Sequence, residues 1–251
     1  MRVQSESERV AGDVCAQPPP KFRRWLPSRA AASSASSQIP TLRQVRSVVH
    51  EAYRVASSGK QGPVHLDLPK DVMTAILRGG SLPLPMQPPP LPVDLHACKR
   101  LAELLAVAKK PILYVGQGAN GAPEELLALA EAAQVPVTTT VHAMGAFSEH
   151  HPHSLHMLGM HGAAYANFAI QESDLIIAIG SRFDDRTTGV LSKYAPEARK
   201  AHEEGRGGLV HFDIEPSQFG RVVHPTIAIS GDCKLAMQAL IPMIPSHVRL
   251  G

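Results

Sequence analysis

The chain has 251 residues, a formal net charge of +3 and 19% charged residues. No Lys/Arg run is interleaved with aromatics, which argues against a nucleic-acid partner, and no apolar run reaches the roughly 20 residues that a membrane span needs. The three cysteines, Cys15, Cys98 and Cys233, are far apart and odd in number, which suits a reducing compartment and excludes a disulfide framework or a Cys-based zinc site.

Residues 1–38 read as a disordered leader. They hold Pro18-Pro19-Pro20, the basic residues Lys21, Arg23, Arg24 and Arg29, and the run AAASSASSQ. The acid-free, Arg/Ser/Ala-rich part suits a mitochondrial transit peptide, whereas Glu6, Glu8 and Asp13 ahead of it suit a plain tail, so the expected location is mitochondrial or cytoplasmic. Leu42, Val45, Val49, Ala52, Tyr53 and Ala56 recur at helical spacing, which predicts a helix over 41–57 with Thr41 as N-cap. Residues 63–68 then predict a strand. One helix and one strand do not make a core, so 39–81 reads as a stub of something larger. From 82 to 93 the sequence LPLPMQPPPLPV predicts an extended linker.

From 94 onward, strands and helices alternate. Asp94 is expected to cap a helix carrying Leu95, Cys98, Leu101, Leu105 and Ala108. A strand over 111–115, a helix over 123–133 and a strand over 135–140 follow. A loop rich in His, Gly and Met leads to a helix over 162–172 and a strand over 175–179. A polar stretch precedes strands over 209–214 and 226–229 and a helix over 232–240. Short, almost wholly apolar strands between helices predict an α/β fold, a Rossmann-like doubly wound parallel sheet occupying 94–251 as one domain.

Ligands of such sheets sit outside the carboxyl ends of the strands, against helix N-termini. Two motifs fall there. Leu158-Gly159-Met160-His161-Gly162 precedes a helix, and Gly180-Ser181-Arg182-Phe183-Asp184-Asp185-Arg186 follows a buried strand. They are expected to face one crevice suited to a phosphate-bearing ligand, with an Arg meeting phosphate and an Asp accepting from a sugar hydroxyl; a solvated loop of mutual ion pairs is the alternative. Gly116-Gln117-Gly118-Ala119-Asn120-Gly121 fits G-x-G-x-x-G between a strand and a helix, so its amides are expected to approach a diphosphate, unless the glycines serve only a tight turn. The next strand ends Thr138-Thr139-Thr140 with no carboxylate, which argues against NAD. Asp213 at a strand end suits a hydroxyl or amine, and Asp232 suits either ligand contact or an N-cap. His142, His150, His151, His153 and His156 lack metal-ligand spacing and read as a solvated loop.

These segments also carry a resemblance. GPVHLDLPKDV at 62–72, PILYVGQGA at 111–119, VPVTTT at 135–140, SLHMLGMHG at 154–162, LIIAIGSRFDDRTTG at 175–189 and APEARKAHEEGRGGLVHFDIEP at 195–216 closely resemble the middle domain of the acetohydroxyacid (acetolactate) synthase family, and the last looks like its fungal branch. That resemblance covers about Ile39 to Ile244. It implies the FAD-binding central domain of a thiamine-diphosphate enzyme, a transferase that decarboxylates pyruvate and joins the two-carbon unit to a second oxo acid in branched-chain (isoleucine and valine) biosynthesis. FAD does no net redox chemistry in that reaction. The resemblance puts FAD contacts on Gly116, Gln117, Gly118, Thr140, Leu158, Gly159, Met160, His161, Gly180, Arg182, Asp184, Asp185, Arg186, Asp213, Ile214, Gly231 and Asp232. Lys60 stands where the family usually has an arginine that helps to hold FAD. Lys70, Met160, Asp185 and Arg186 match the substrate and inhibitor channel.

The family's activating glutamate and its Gly-Asp-Gly…Asn site for thiamine diphosphate and Mg²⁺ have no match here. The expectation is a fragment that is inactive alone, either a homodimer or an associate of the full-length synthase. The alternatives are a stand-alone adenine-dinucleotide-binding module or a non-catalytic partner of the full synthase, and an NAD-dependent oxidoreductase. A truncated gene product is the remaining possibility.

Overall fold

The computed structural model describes residues 35–39, 41–76 and 92–245. The leader reading over 1–34 and the linker reading over 82–91 lie outside the described residues. The chain divides into two compact units, one within residues 1–88 and one within 89–251.

In the first unit, strand β1 (Ala35–Gln38) runs parallel to β2 (Val64–Asp67), with Ala35 opposite Val64 and Gln38 opposite Asp67. This corrects two expectations. The disordered leader does not extend to residue 38, and the strand after the first helix has a partner. Ala35-Ser36-Ser37-Gln38 shows no apolar alternation, so only its backbone ladder marks it as a strand. Helices α1 (Val45–Ser57) and α2 (Lys70–Thr74) complete this unit, and Ile39, Val48 and Val72 form its small core.

The second unit holds strands β3 (Pro111–Val115), β4 (Val137–Thr139), β5 (Ser154–Met157), β6 (Leu175–Ile179), β7 (Gly208–Asp213) and β8 (Ile227–Ser230). All pairs are parallel, in the order β5-β4-β3-β6-β7-β8. The chain moves outward from β3 to β5, then returns to place β6 beside β3. That reversal is the switch point of a doubly wound sheet. The helices are α3 (Leu95–Val107), α4 (Pro123–Ala133), α5 (Ala164–Glu172), α6 (Asp185–Thr188), α7 (Pro196–Glu203) and α8 (Cys233–Leu240).

Alternate strand residues face opposite layers, as the period of two requires. Leu113, Val115, Ile177, Ile179, Val210 and Phe212 pack with Leu101 and Leu105 of α3, Leu126 and Leu129 of α4, and Met237 of α8. Ile112, Tyr114, Ile176, Ala178 and Leu209 pack with Ala166 and Ile170 of α5 and Ala198 of α7. Asp94 caps α3 as expected, its carboxylate accepting from Ala97 N at 3.0 Å.

Three elements of this unit, β5, the short α6 and α7, were not expected. β5 lies inside the His/Gly/Met loop as an irregular edge strand: its register against β4 shifts, and His156 has φ +56°. α7 buries only Ala198 and Ala201, too small an apolar face to read as periodic. Among the described residues no helix is long and apolar enough to cross a membrane.

Candidate functional site at the strand carboxyl ends

The loop after β3 and the loop after β6 are bonded to each other at the switch point. Gly116 N–H donates to Ile179 O at 2.9 Å, and Gly118 N–H donates to Gly180 O at 3.1 Å. A Cβ on Gly116 would lie 2.3 Å from Gly180 O, and one on Gly180, whose φ is +61°, would lie 2.6 Å from Gly118 Cα. These glycines therefore exist for the approach of two backbones. The N–H groups of Gly116 and Gly118 are thereby engaged with the neighbouring loop. Gln117 and Gly118 still present exposed surface at the crevice. Cys233, at the start of α8, fastens this loop from the other side. Its thiol donates to Gly118 O at 3.0 Å, and burial pushes its pKa up to about 11, so it stays a protonated donor.

The 158–162 and 180–189 motifs come together as the sequence predicts. Met160 N–H donates to Arg186 O at 2.8 Å, and Arg186 Nη1 lies 3.5 Å from Met160 Sδ. Asn167 of α5 holds the first motif from behind. Its Oδ1 accepts from Gly159 N at 2.8 Å and its Nδ2 donates to Gly159 O at 2.9 Å. Tyr114 of β3 reaches the second motif, with its hydroxyl 3.0 Å from Thr187 Oγ1.

The charged groups on this edge are mostly presented outward. The Arg182 side chain is 63% exposed and lies 3.3 Å from Asp184 Oδ2. Asp184 Oδ1 accepts from Arg186 N at 3.1 Å, a bond that leads the influences holding its carboxyl below the usual range. His161, Asp185, Arg186 and Asp232 are exposed. Asp232 caps α8 by accepting from Lys234 N at 2.7 Å. Asp213 departs from expectation: one oxygen accepts from Glu215 N at 2.9 Å, the other lies 3.7 Å from His211 Nε2, and its side chain is only 10% exposed. Gly231 N–H donates to Asp213 O at 3.1 Å, which joins the ends of β7 and β8. Leu158 is buried, while Thr140 and Ile214 are half-buried. Lys60 and Lys70 are exposed in the first unit, Lys60 beside Gly59 with φ +56° and Lys70 opening α2.

A cavity of about 390 Å³ opens between α5 and the 185–194 segment, with Met160, Asn167, Gln171, Asp185, Arg186 and Tyr194 in its lining. Three of the expected channel residues, Met160, Asp185 and Arg186, thus share one wall. Residue types alone did not reveal Asn167, or Tyr114 and His211, whose contacts reach residues far away in sequence. Among the described residues, no group of three or more His, Cys, Asp or Glu side chains is gathered to hold a metal ion.

Comparison with known proteins agrees with this geometry. Residues 98–240 match the family described as "Thiamine pyrophosphate enzyme, central domain". The chain is 48% identical over 202 residues to the mitochondrial acetolactate synthase catalytic subunit of Saccharomyces cerevisiae, covering 73% of this chain and 29% of that protein. Identity is 46% over 215 residues to the corresponding subunit of Aspergillus candidus, covering 79% of this chain and 31% of that one. It is 36% over 209 residues to the acetolactate synthase isozyme 1 large subunit of Escherichia coli, covering 83% of this chain and 36% of that one. The chain therefore spans about a third of the length of these relatives.

Proposed function

The chain belongs to the thiamine pyrophosphate enzyme central-domain family, and on that premise we propose that its second unit is the FAD-binding central domain of an acetolactate synthase catalytic chain. The observation that carries this reading is the direct bonding of the 158–162 motif to the 180–189 motif, through Met160 N–H and Arg186 O at 2.8 Å. That bond gathers Arg182 and Arg186 as cations, and Asp184 and Asp185 as acceptors, on one exposed edge beside the His161 ring. The set suits a ligand with a diphosphate and sugar hydroxyls, because guanidinium groups bind phosphate oxygens in pairs and carboxylates accept from hydroxyls. Bound there, FAD supplies a diphosphate and a flat ring for these loops to hold, with no net redox step in acetolactate formation. Gln117, Gly118, Thr140, Ile214 and Asp232 extend the contact surface. Met160, Asp185 and Arg186, which line one cavity, are assigned to the substrate channel.

The family description implies thiamine diphosphate, which we assign to the full-length synthase. We assign pyruvate decarboxylation and carboligation to the full-length synthase, with this chain inactive alone. Its partners are further copies of the synthase catalytic chain, and a mitochondrial location follows the fungal relatives.

An FAD titration of the purified chain, followed by flavin fluorescence with NAD as competitor, tests the reading. Saturable binding is expected, NAD should not displace it, and Arg182→Ala should weaken it about tenfold or more, as for loss of a charge-assisted contact. A folded chain that shows no saturable FAD binding overturns the flavin reading. NAD displacing FAD at similar concentration favours the oxidoreductase alternative. Acetolactate formed by the chain alone, supplied with pyruvate, thiamine diphosphate, Mg²⁺ and FAD, overturns the inactivity.

A further inference from the structure

We propose that His211 is a positioning residue for this site: it clamps the 180–184 turn in the shape that presents Arg182 and Asp184 to the ligand. The identity of the ligand rests on the flavin reading, whereas the clamp rests on geometry.

His211 lies on β7 opposite Ala178 of β6, on the same layer as Leu209. Its side chain is 1% exposed, and its Nε2 lies 2.8 Å from Ser181 O. A carbonyl oxygen can only accept, so Nε2 carries the hydrogen and donates it. Nδ1 is then a bare acceptor, buried without a hydrogen-bond partner. The ring stands edge-on between Phe183 and Phe219, at centroid distances of 5.0 and 5.2 Å. A neutral ring fits those walls. A protonated one would put a second N–H into them, and burial accordingly holds the His211 pKa below its ordinary value.

The peptide that His211 holds sits in an unusual turn. Gly180 has φ +61° and Phe183 has φ +56°. A bulky side chain rarely adopts that left-handed region, and such a conformation persists only where its surroundings over-determine it. Here the Phe183 ring is locked against Tyr114 at 5.4 Å and Tyr194 at 6.3 Å. That fixes the far end of the turn, and the bond from His211 fixes the carbonyl just before Arg182. With both ends pinned, Arg182 points outward next to Asp184. A buried histidine serving only as filler would contribute to stability and leave ligand affinity unchanged.

Two measurements on the full chain separate these roles. FAD affinity is measured for His211→Leu, His211→Gln, Arg182→Ala and the Leu/Ala double variant. Amide hydrogen exchange of 180–184 is measured without ligand. His211→Leu should weaken FAD about tenfold, as for loss of a hydrogen bond that fixes a charged group, and should raise exchange in that turn. His211→Gln, whose amide can donate to the same carbonyl, should recover most of both. In the Arg182→Ala background, His211→Leu should add less than about twofold, because its effect acts through Arg182. Unchanged affinity, or an equal loss in both backgrounds, overturns the proposal. If His211→Leu does not fold, His211→Asn, which keeps a polar amide but falls short of the carbonyl, takes its place. If the wild-type chain binds no FAD, the flavin reading fails and exchange decides the clamp: a rise confined to 180–184 supports it, and unchanged exchange overturns it.

Discussion

Gly116 shows how tightly the site fixes single residues. The atoms that a Cβ there would meet are the backbone of Gly180 and Ser181, the nearest at 2.3 Å, and backbone cannot swing aside as a side chain can. Gly116→Ala should therefore cost about 2–4 kcal/mol in urea unfolding, the upper part of the usual range for a forced overlap. A change below about 0.5 kcal/mol would mean that the two loops part easily, and their close approach would lose its importance. His211 offers a second check, through pH. Its folded-state value lies below the ordinary imidazole value of about 6.5, mainly because burial penalises the charged form. Between the folded and unfolded values, the unfolded chain binds more protons, so stability rises with pH in that window. The contribution is fully present above about pH 6.5 and is lost as pH falls towards the lower folded value. Urea midpoints across pH 5 to 8 should show that loss in the wild type and less of it in His211→Gln. An equally steep loss in the variant would assign the pH dependence to other groups.

At the scale of elements, legibility followed chemistry. β3 and β6 were readable because buried central strands are continuous apolar runs, and α3 because a capping aspartate precedes a periodic face. β1, β5 and α7 were not, since backbone ladders and alanine contacts leave little trace in residue type. The site divided the same way. Its two motifs were legible from glycine and charge placed after strands, whereas His211 acts through one bond to backbone thirty residues away and Asn167 through two bonds to Gly159, which residue type does not encode. The opposite edge of the sheet carries a comparable device in Asp174, just before β6. Its carboxylate accepts from Lys109 N at 2.8 Å and Lys110 N at 2.9 Å, and it meets Arg206 Nη1 at 3.1 Å ahead of β7. Asp174→Ala leaves the two backbone donors without a partner at a site only 5% exposed, which should cost about 3 kcal/mol. The loss should appear in the unfolding midpoint and leave FAD affinity within about twofold, since the bonds lie at the strand ends away from the site. A large loss of FAD affinity in a folded Asp174→Ala chain would contradict that separation of stability from binding.

For the whole molecule, the two units differ in what they can sustain alone. The second has a six-stranded sheet covered on both layers, with a central cluster that includes Leu101, Leu126, Ile177 and Phe212. Burial on that scale supports an independent domain, and a span of about 150 residues is ordinary for one. The first unit has a two-stranded sheet and a buried core of Ile39, Val48 and Val72, while Tyr53, Met73 and Ile76 stay exposed. Among its described residues only these three side chains and Ala52 are buried, and a two-stranded sheet with so small an apolar face is marginal on its own. A polypeptide of residues 92–245 should therefore unfold cooperatively in urea and bind FAD within about threefold of the whole chain. A polypeptide of residues 35–76 should show no cooperative transition by circular dichroism. Cooperative unfolding of the short piece would mean that its contacts are stronger than so small a core implies. Failure of 92–245 to fold would mean that the sheet depends on chain outside it, and the reading of that unit as a self-sufficient flavin domain would fall.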